Sequence, residues 1–139
     1  MGATQANITS KGHVVQEAEP VIMGEGIAGE TLAAGDVVYL KAADSKLWKF
    51  DGTTEDMAAA IVGVIGTGGD ATDPVTYFMD NGTCAGASLT VGDELWAKHD
   101  ATLVNWAGLT AAKWTKKMGI ATTTSAAQLS MGEVQQKPA

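Results

Sequence analysis

Leu32-Ala33-Ala34-Gly35-Asp36-Val37-Val38-Tyr39-Leu40-Lys41 and Leu89-Thr90-Val91-Gly92-Asp93-Glu94-Leu95-Trp96-Ala97-Lys98 are two versions of one segment. Leu, Gly, Asp and Lys coincide at a single offset, and an aromatic, Tyr39 or Trp96, falls at the same place. One residue earlier both copies are apolar, Val38 and Leu95. Nearly the same offset carries Val62-Gly63-Val64 onto Met118-Gly119-Ile120. An internal repeat is therefore expected, one copy over roughly 29–66 and the other over 86–121.

The motif has a local cause. Gly takes the positive φ needed to turn sharply into a strand, and Asp can accept hydrogen bonds from nearby backbone donors. Leu32 and Leu89 would anchor each turn to the core. Asp36 and Asp93 invite a second reading, as a carboxylate pair working as acid and base. Each Asp comes with its own Gly and Leu, so Leu32, Gly35, Asp36, Leu89, Gly92 and Asp93 are read as a structural turn motif.

Outward from these units, turn signals recur about every ten residues, the spacing of a sandwich or barrel. Strands are expected at Val37–Lys41, Leu47–Phe50, Ile61–Ile65, Val75–Met79, Thr83–Ala85, Gly119–Ala121 and, weakly, Ala127–Leu129. Asp80-Asn81-Gly82 reads as a hairpin turn leading into Thr83-Cys84-Ala85, because Asn-Gly tolerates positive φ at both positions. Two short helices are expected. Thr54–Ala60 has a Thr start and acids in its first turn, and Ala111–Met118 is rich in helix formers. The fold class is thus mainly β, a small β-barrel or β-tulip-like domain over 21–132. An extended polar arm, 1–20, precedes it, and a flexible tail, 133–139, follows.

Composition narrows the function. The net charge is −7 and all 9 basic residues are Lys. Nucleic-acid readers need a basic face and favour the Arg fork, so no nucleic-acid partner is expected. An anionic membrane would repel the chain, and no apolar run nears the roughly 18 residues of a membrane span. A single Cys, Cys84, allows neither an intrachain disulfide nor a Cys-based zinc site. The first 19 residues have no apolar core of the signal-peptide kind, which points to synthesis in a cytosol.

Other chemistry finds little support. His13 and His99 lack ligands at metal-binding spacing, and His99 reads as a solvated loop residue. Asp70, Asp73 and Asp80 do not follow the EF-hand order. Gly66-Thr67-Gly68-Gly69-Asp70 lacks the Lys-Ser/Thr of a phosphate loop, and no Gly-x-Ser-x-Gly elbow occurs. No cofactor and no catalysis are expected. Of the 4 Trp, Trp96 is expected in the core. Trp106 and Trp114, with polar neighbours, are candidate contacts to a partner or a second subunit. Ile8, Val14 and Val15 in the arm are the other candidates, since a latent strand there can add to an exposed sheet edge.

Ile27-Ala28-Gly29-Glu30-Thr31-Leu32-Ala33-Ala34-Gly35-Asp36-Val37-Val38-Tyr39-Leu40 resembles the opening of small bacteriophage capsid cement, or head decoration, proteins. So does the later order of Lys46-Leu47-Trp48-Lys49, Ile61-Val62-Gly63-Val64, Pro74-Val75-Thr76-Tyr77 and Ala87 to Asp93, a likeness covering roughly 21–121. The Trp-bearing stretch Asn105–Lys117 and the long arm depart from the pattern. The resemblance implies a virion protein on the outer capsid surface, made in the host bacterial cytoplasm. It further implies a homotrimer that clamps copies of the major capsid protein. A head-fibre base, a tail protein or a carbohydrate-binding β-barrel are the alternatives.

Overall fold

The computed structural model describes residues 23–85 and 89–138. It is mainly β, with 46% strand and 7% helix. The strands are β1 (Met23–Ile27), β2 (Val37–Lys41), β3 (Lys46–Lys49), β4 (Ile61–Thr67), β5 (Pro74–Phe78) and β6 (Thr83–Ala85). Then come β7 (Glu94–Ala97), β8 (Leu103–Val104), β9 (Trp114–Ala121), β10 (Ala126–Leu129) and β11 (Val134–Gln136). Helix α1 (Glu55–Ala59) precedes β4, and a 3-10 turn spans Trp106–Gly108.

The strands form two antiparallel sheets, ordered β1-β5-β4-β2-β3 and β6-β10-β9-β7-β8, with β11 added on β9. Raising each number of the first order by five gives the second. The repeat seen in the sequence is thus one part of a larger one, in which all ten strands correspond. Register agrees as well. Val38 pairs with Gly63 and Tyr39 with Ile61 across a bulge. Leu95 pairs with Gly119 and Trp96 with Lys117 across the equivalent bulge.

Close backbone approach explains the Gly at each bulge. A Cβ on Gly63 would lie 2.0 Å from the Phe78 carbonyl oxygen, and one on Gly119 2.2 Å from that of Gln128. In the first sheet the two ends meet through a parallel bridge between Ala28 and Leu47, so the sheet curls into a half-barrel.

Each sheet has a small core of its own. Leu32, Val38, Leu47 and Ile65 fill the first, with Ala28 and Val75. Leu95, Ala121 and Ala127 fill the second, with Leu89 and Leu103 packed against them. A third, central core joins the units. Val37, Phe50, Ile61 and Val64 of the first unit meet Ala97, Ala101, Met118 and Leu129 of the second, with Ala58 of α1. The helix is short and survives through that contact and its Thr54 cap, whose hydroxyl accepts from Met57 N–H at 3.1 Å.

Three expectations fail. Ala111–Met118 is not a helix; Trp114 onward forms β9, which pairs with β7, β10 and β11. Ladder bonds on both sides outweigh the weak helix preference of Ala, Lys and Met. Asn81-Gly82 does not close a hairpin between β5 and β6. Asn81 alone has positive φ, and the chain crosses to the second sheet, where Asn81 N–H bonds Leu129 O and Leu129 N–H bonds Gly82 O. The polar tail does not fray at 133, because Val134–Gln136 pairs with Trp114–Lys116.

Candidate interaction surface

Both Leu-x-x-Gly-Asp turns have one geometry. Gly35 and Gly92 have φ of +96° and +91°. Their N–H groups bond Ile65 O and Ala121 O at 2.9 and 2.8 Å, and Asp36 and Asp93 N–H reach back to Ala33 O and Thr90 O. Asp36 Oδ2 accepts from Ala33 N–H at 2.9 Å, and Asp93 Oδ2 from the Asn105 amide at 3.3 Å. Leu32 is buried and Leu89 half-buried under its own sheet. The two carboxylates therefore sit at equivalent turns of different sheets, Asp36 bonding within its own turn and Asp93 reaching Asn105.

The turns after β2 and β7 match as well. Ser45 and Ala101 both hold positive φ, 58° and 68°. Each follows an Asp whose carboxylate accepts from the backbone two residues on, Asp44 from Lys46 N–H and Asp100 from Thr102 N–H. Partial burial pushes the Asp100 carboxyl up. The Thr102 hydroxyl and N–H, with Lys98 and His99, outweigh that and hold it below the usual carboxylate range.

The aromatic candidates are all tethered. Trp96 is buried, and Trp106 meets it edge-on at 4.9 Å with Lys137 Nζ 5.0 Å from the Trp106 ring. Trp114 is half-buried against the central core. Trp48 donates to Asp44 and carries Lys41 Nζ 4.6 Å from its ring. Beside it, burial and the carboxylates of Asp51, Glu30 and Asp44 push the Tyr39 hydroxyl up. His99 is half-buried rather than solvated, and its Nδ1 is buried without a hydrogen-bond partner. Ile8, Val14, Val15 and His13 lie outside the described residues. Among the described residues, no three metal-binding side chains group together.

Register identifies a surface that motif reading passed over. In the first sheet Met23, Phe78, Val64 and Val37 form one cross-strand row. Val37 and Val64 of that row belong to the central core, with Phe78 packed against it. The corresponding row of the second sheet is Thr83, Gln128, Ile120 and Glu94. Among the described residues nothing covers it. Ile120 is 41% exposed where Val64 is 1% exposed. Beside it Lys117 pairs with Glu94 at 2.8 Å. The sequence signal for this face was the pair of neighbouring repeat offsets, one of which sets apolar Val37 against charged Glu94 and the other apolar Ile61 against charged Lys117.

Neither protein-family models nor curated proteins give a match to the chain.

Proposed function

We propose that this protein is a non-catalytic structural component of a bacteriophage virion, a cement protein on the outer surface of an icosahedral head. The observation that carries the reading is the resemblance of residues 27–40, and of the ordered segments after them, to capsid decoration proteins. A net charge of −7 without Arg suits a protein that never touches packaged DNA. Its partners are the major capsid protein and two further copies of itself, forming a homotrimer. Residues 1–20 supply strand-forming residues for pairing with a capsid edge, and many copies give avidity where a single contact is weak.

Co-sedimentation with undecorated heads tests the reading. The purified protein is expected to pellet with heads and to saturate at a fixed ratio to capsid subunits. Failure to pellet with any matched head refutes it. Removing residues 1–19 is expected to weaken pelleting while the thermal transition of the body stays in place; undiminished pelleting removes the arm from the interface.

A further inference from the structure

The central core is a contact between two equivalent units, made through different surfaces of each. The second unit contributes one rim: Ala97 and Leu129 at the ends of β7 and β10, Met118 at the bulge of β9, and Ala101 in the turn after β7. The first contributes the face bearing Val37, Val64, Ile61 and Phe50. A backbone bond fastens the two, Val37 N–H to Ala101 O at 2.9 Å. A two-fold arrangement would set Val37 and Val64 against their own counterparts, Glu94 and Ile120. Those counterparts are exposed, so the contact is heterologous.

A heterologous contact between two units leaves one surface of each kind unused. The unused rim belongs to the first unit, where strand register places Leu40 and Val62 at the positions of Ala97 and Met118, the matching turn places Ser45 at that of Ala101, and the β4–β5 register continued by one residue places Met79 at that of Leu129. The unused face belongs to the second unit and carries Glu94, Ile120 and Lys117 at the positions of Val37, Val64 and Ile61. Two of the large hydrophobic residues exposed in this chain fall on these two surfaces, Leu40 at 45% and Ile120 at 41%. The turn at Ser45 repeats the backbone form of the turn at Ala101. Lys41 and Lys46 flank Leu40 and Ser45, with Asp44 between them, and the face they would meet carries the Glu94–Lys117 pair, so each surface offers charges of both signs to the other.

We propose that a second copy of this chain docks head-to-tail here. The Leu40–Ser45 rim of one molecule sits on the Glu94–Ile120 face of the next, repeating between chains the contact made within each chain. Such a contact propagates until rotation closes it into a ring. The charged residues on the open face make it weaker and more salt-sensitive than the apolar contact within the chain. This deepens the homotrimer part of the reading above and is independent of capsid binding.

Sedimentation velocity on the full chain over a wide concentration range is the test. The wild type is expected to form a closed oligomer that raised salt loosens. Leu40→Glu and Ile120→Lys are each expected to weaken association by about tenfold or more. Leu40→Ser, which adds no charge, should shift it in the same direction. Val91→Lys, 61% exposed and outside both surfaces, should leave assembly unchanged. The decisive arm mixes Leu40→Glu with Ile120→Lys. One variant keeps an intact face and the other an intact rim, so the mixture should pair and stop at two chains. Circular dichroism melts confirm that each variant is folded. A wild type that stays monomeric at millimolar concentration overturns the proposal, as does an oligomer indifferent to both charged variants, or a mixture that fails to pair. Head co-sedimentation that survives any of these outcomes leaves the capsid reading standing.

Discussion

The two units share strand order, bulges and turns, yet one row of residues has opposite surroundings in each. Val37 and Val64 are buried in the central core, while Glu94 and Ile120, at the same register, face solvent. The backbone plan is therefore separable from what covers it. Local devices, a Gly with positive φ and an Asp whose N–H closes the turn, fix the plan in both copies. The side chains of the row differ with what one chain places on top. Copy one is apolar there because copy two sits on it, and copy two carries the Lys117–Glu94 pair beside one exposed apolar residue, Ile120.

The comparison is broken most forcefully in the central core. Phe50→Ala removes a side chain that is 1% exposed and is expected to cost about 3–5 kcal/mol in chemical denaturation. Its counterpart, two residues beyond the matched Trp48 and Val104, is the half-buried Trp106, for which Trp106→Ala should cost clearly less. Equal losses would mean that the units are covered alike. At the next level, Val64→Ala should destabilise by about 1–3 kcal/mol, whereas Ile120→Ala in the monomer should stay within about 0.5 kcal/mol. The turns share a backbone form and differ in what the carboxylate holds. Asp36→Ala deletes the bond from Ala33 N–H and should cost about 1 kcal/mol, whereas Asp93→Ala deletes a 3.3 Å bond from the exposed Asn105 amide and should cost less. Equal losses would show that the carboxylates act through something other than these bonds.

How much of this was legible follows from where each signal resides. The Leu-x-x-Gly-Asp turns could be read because their chemistry lies within five residues and recurs at one offset. Thr54 as a helix cap is equally local. The correspondence of β1 with β6 and of β5 with β10 was hidden, because Met23–Ile27 and Thr83–Ala85 share no residues and only pairing relates them. Asn81-Gly82 misled for the opposite reason. A strong local turn signal sits where the chain leaves one sheet for the other, and bonds to Leu129 set its path. Residues 111–118 carry helical composition, but the strands on either side of β9 decide their conformation. The open face of the second unit has no motif. It appears only when the register of one copy is laid on the other.

The smallest expected effect concerns acid. Asp100 and Asp44 cap equivalent turns, and the Thr102 hydroxyl adds a 2.5 Å bond to the Asp100 carboxylate. Asp100 remains ionised to lower pH in the folded protein than in the unfolded chain, whose carboxyl titrates near about 3.9. The stability this adds is fully present above that value and is lost as pH falls through the lower folded one. The group is largely exposed, so the effect is a small difference in melting temperature. Asp100→Asn should therefore melt slightly below wild type at neutral pH, and the gap should close below about pH 4. A gap that stays constant from neutral to strongly acid solution would show that the carboxylate charge contributes nothing. The amide would then serve the turn as well as the acid, and the pairing of Asp100 with Asp44 would be one of shape alone.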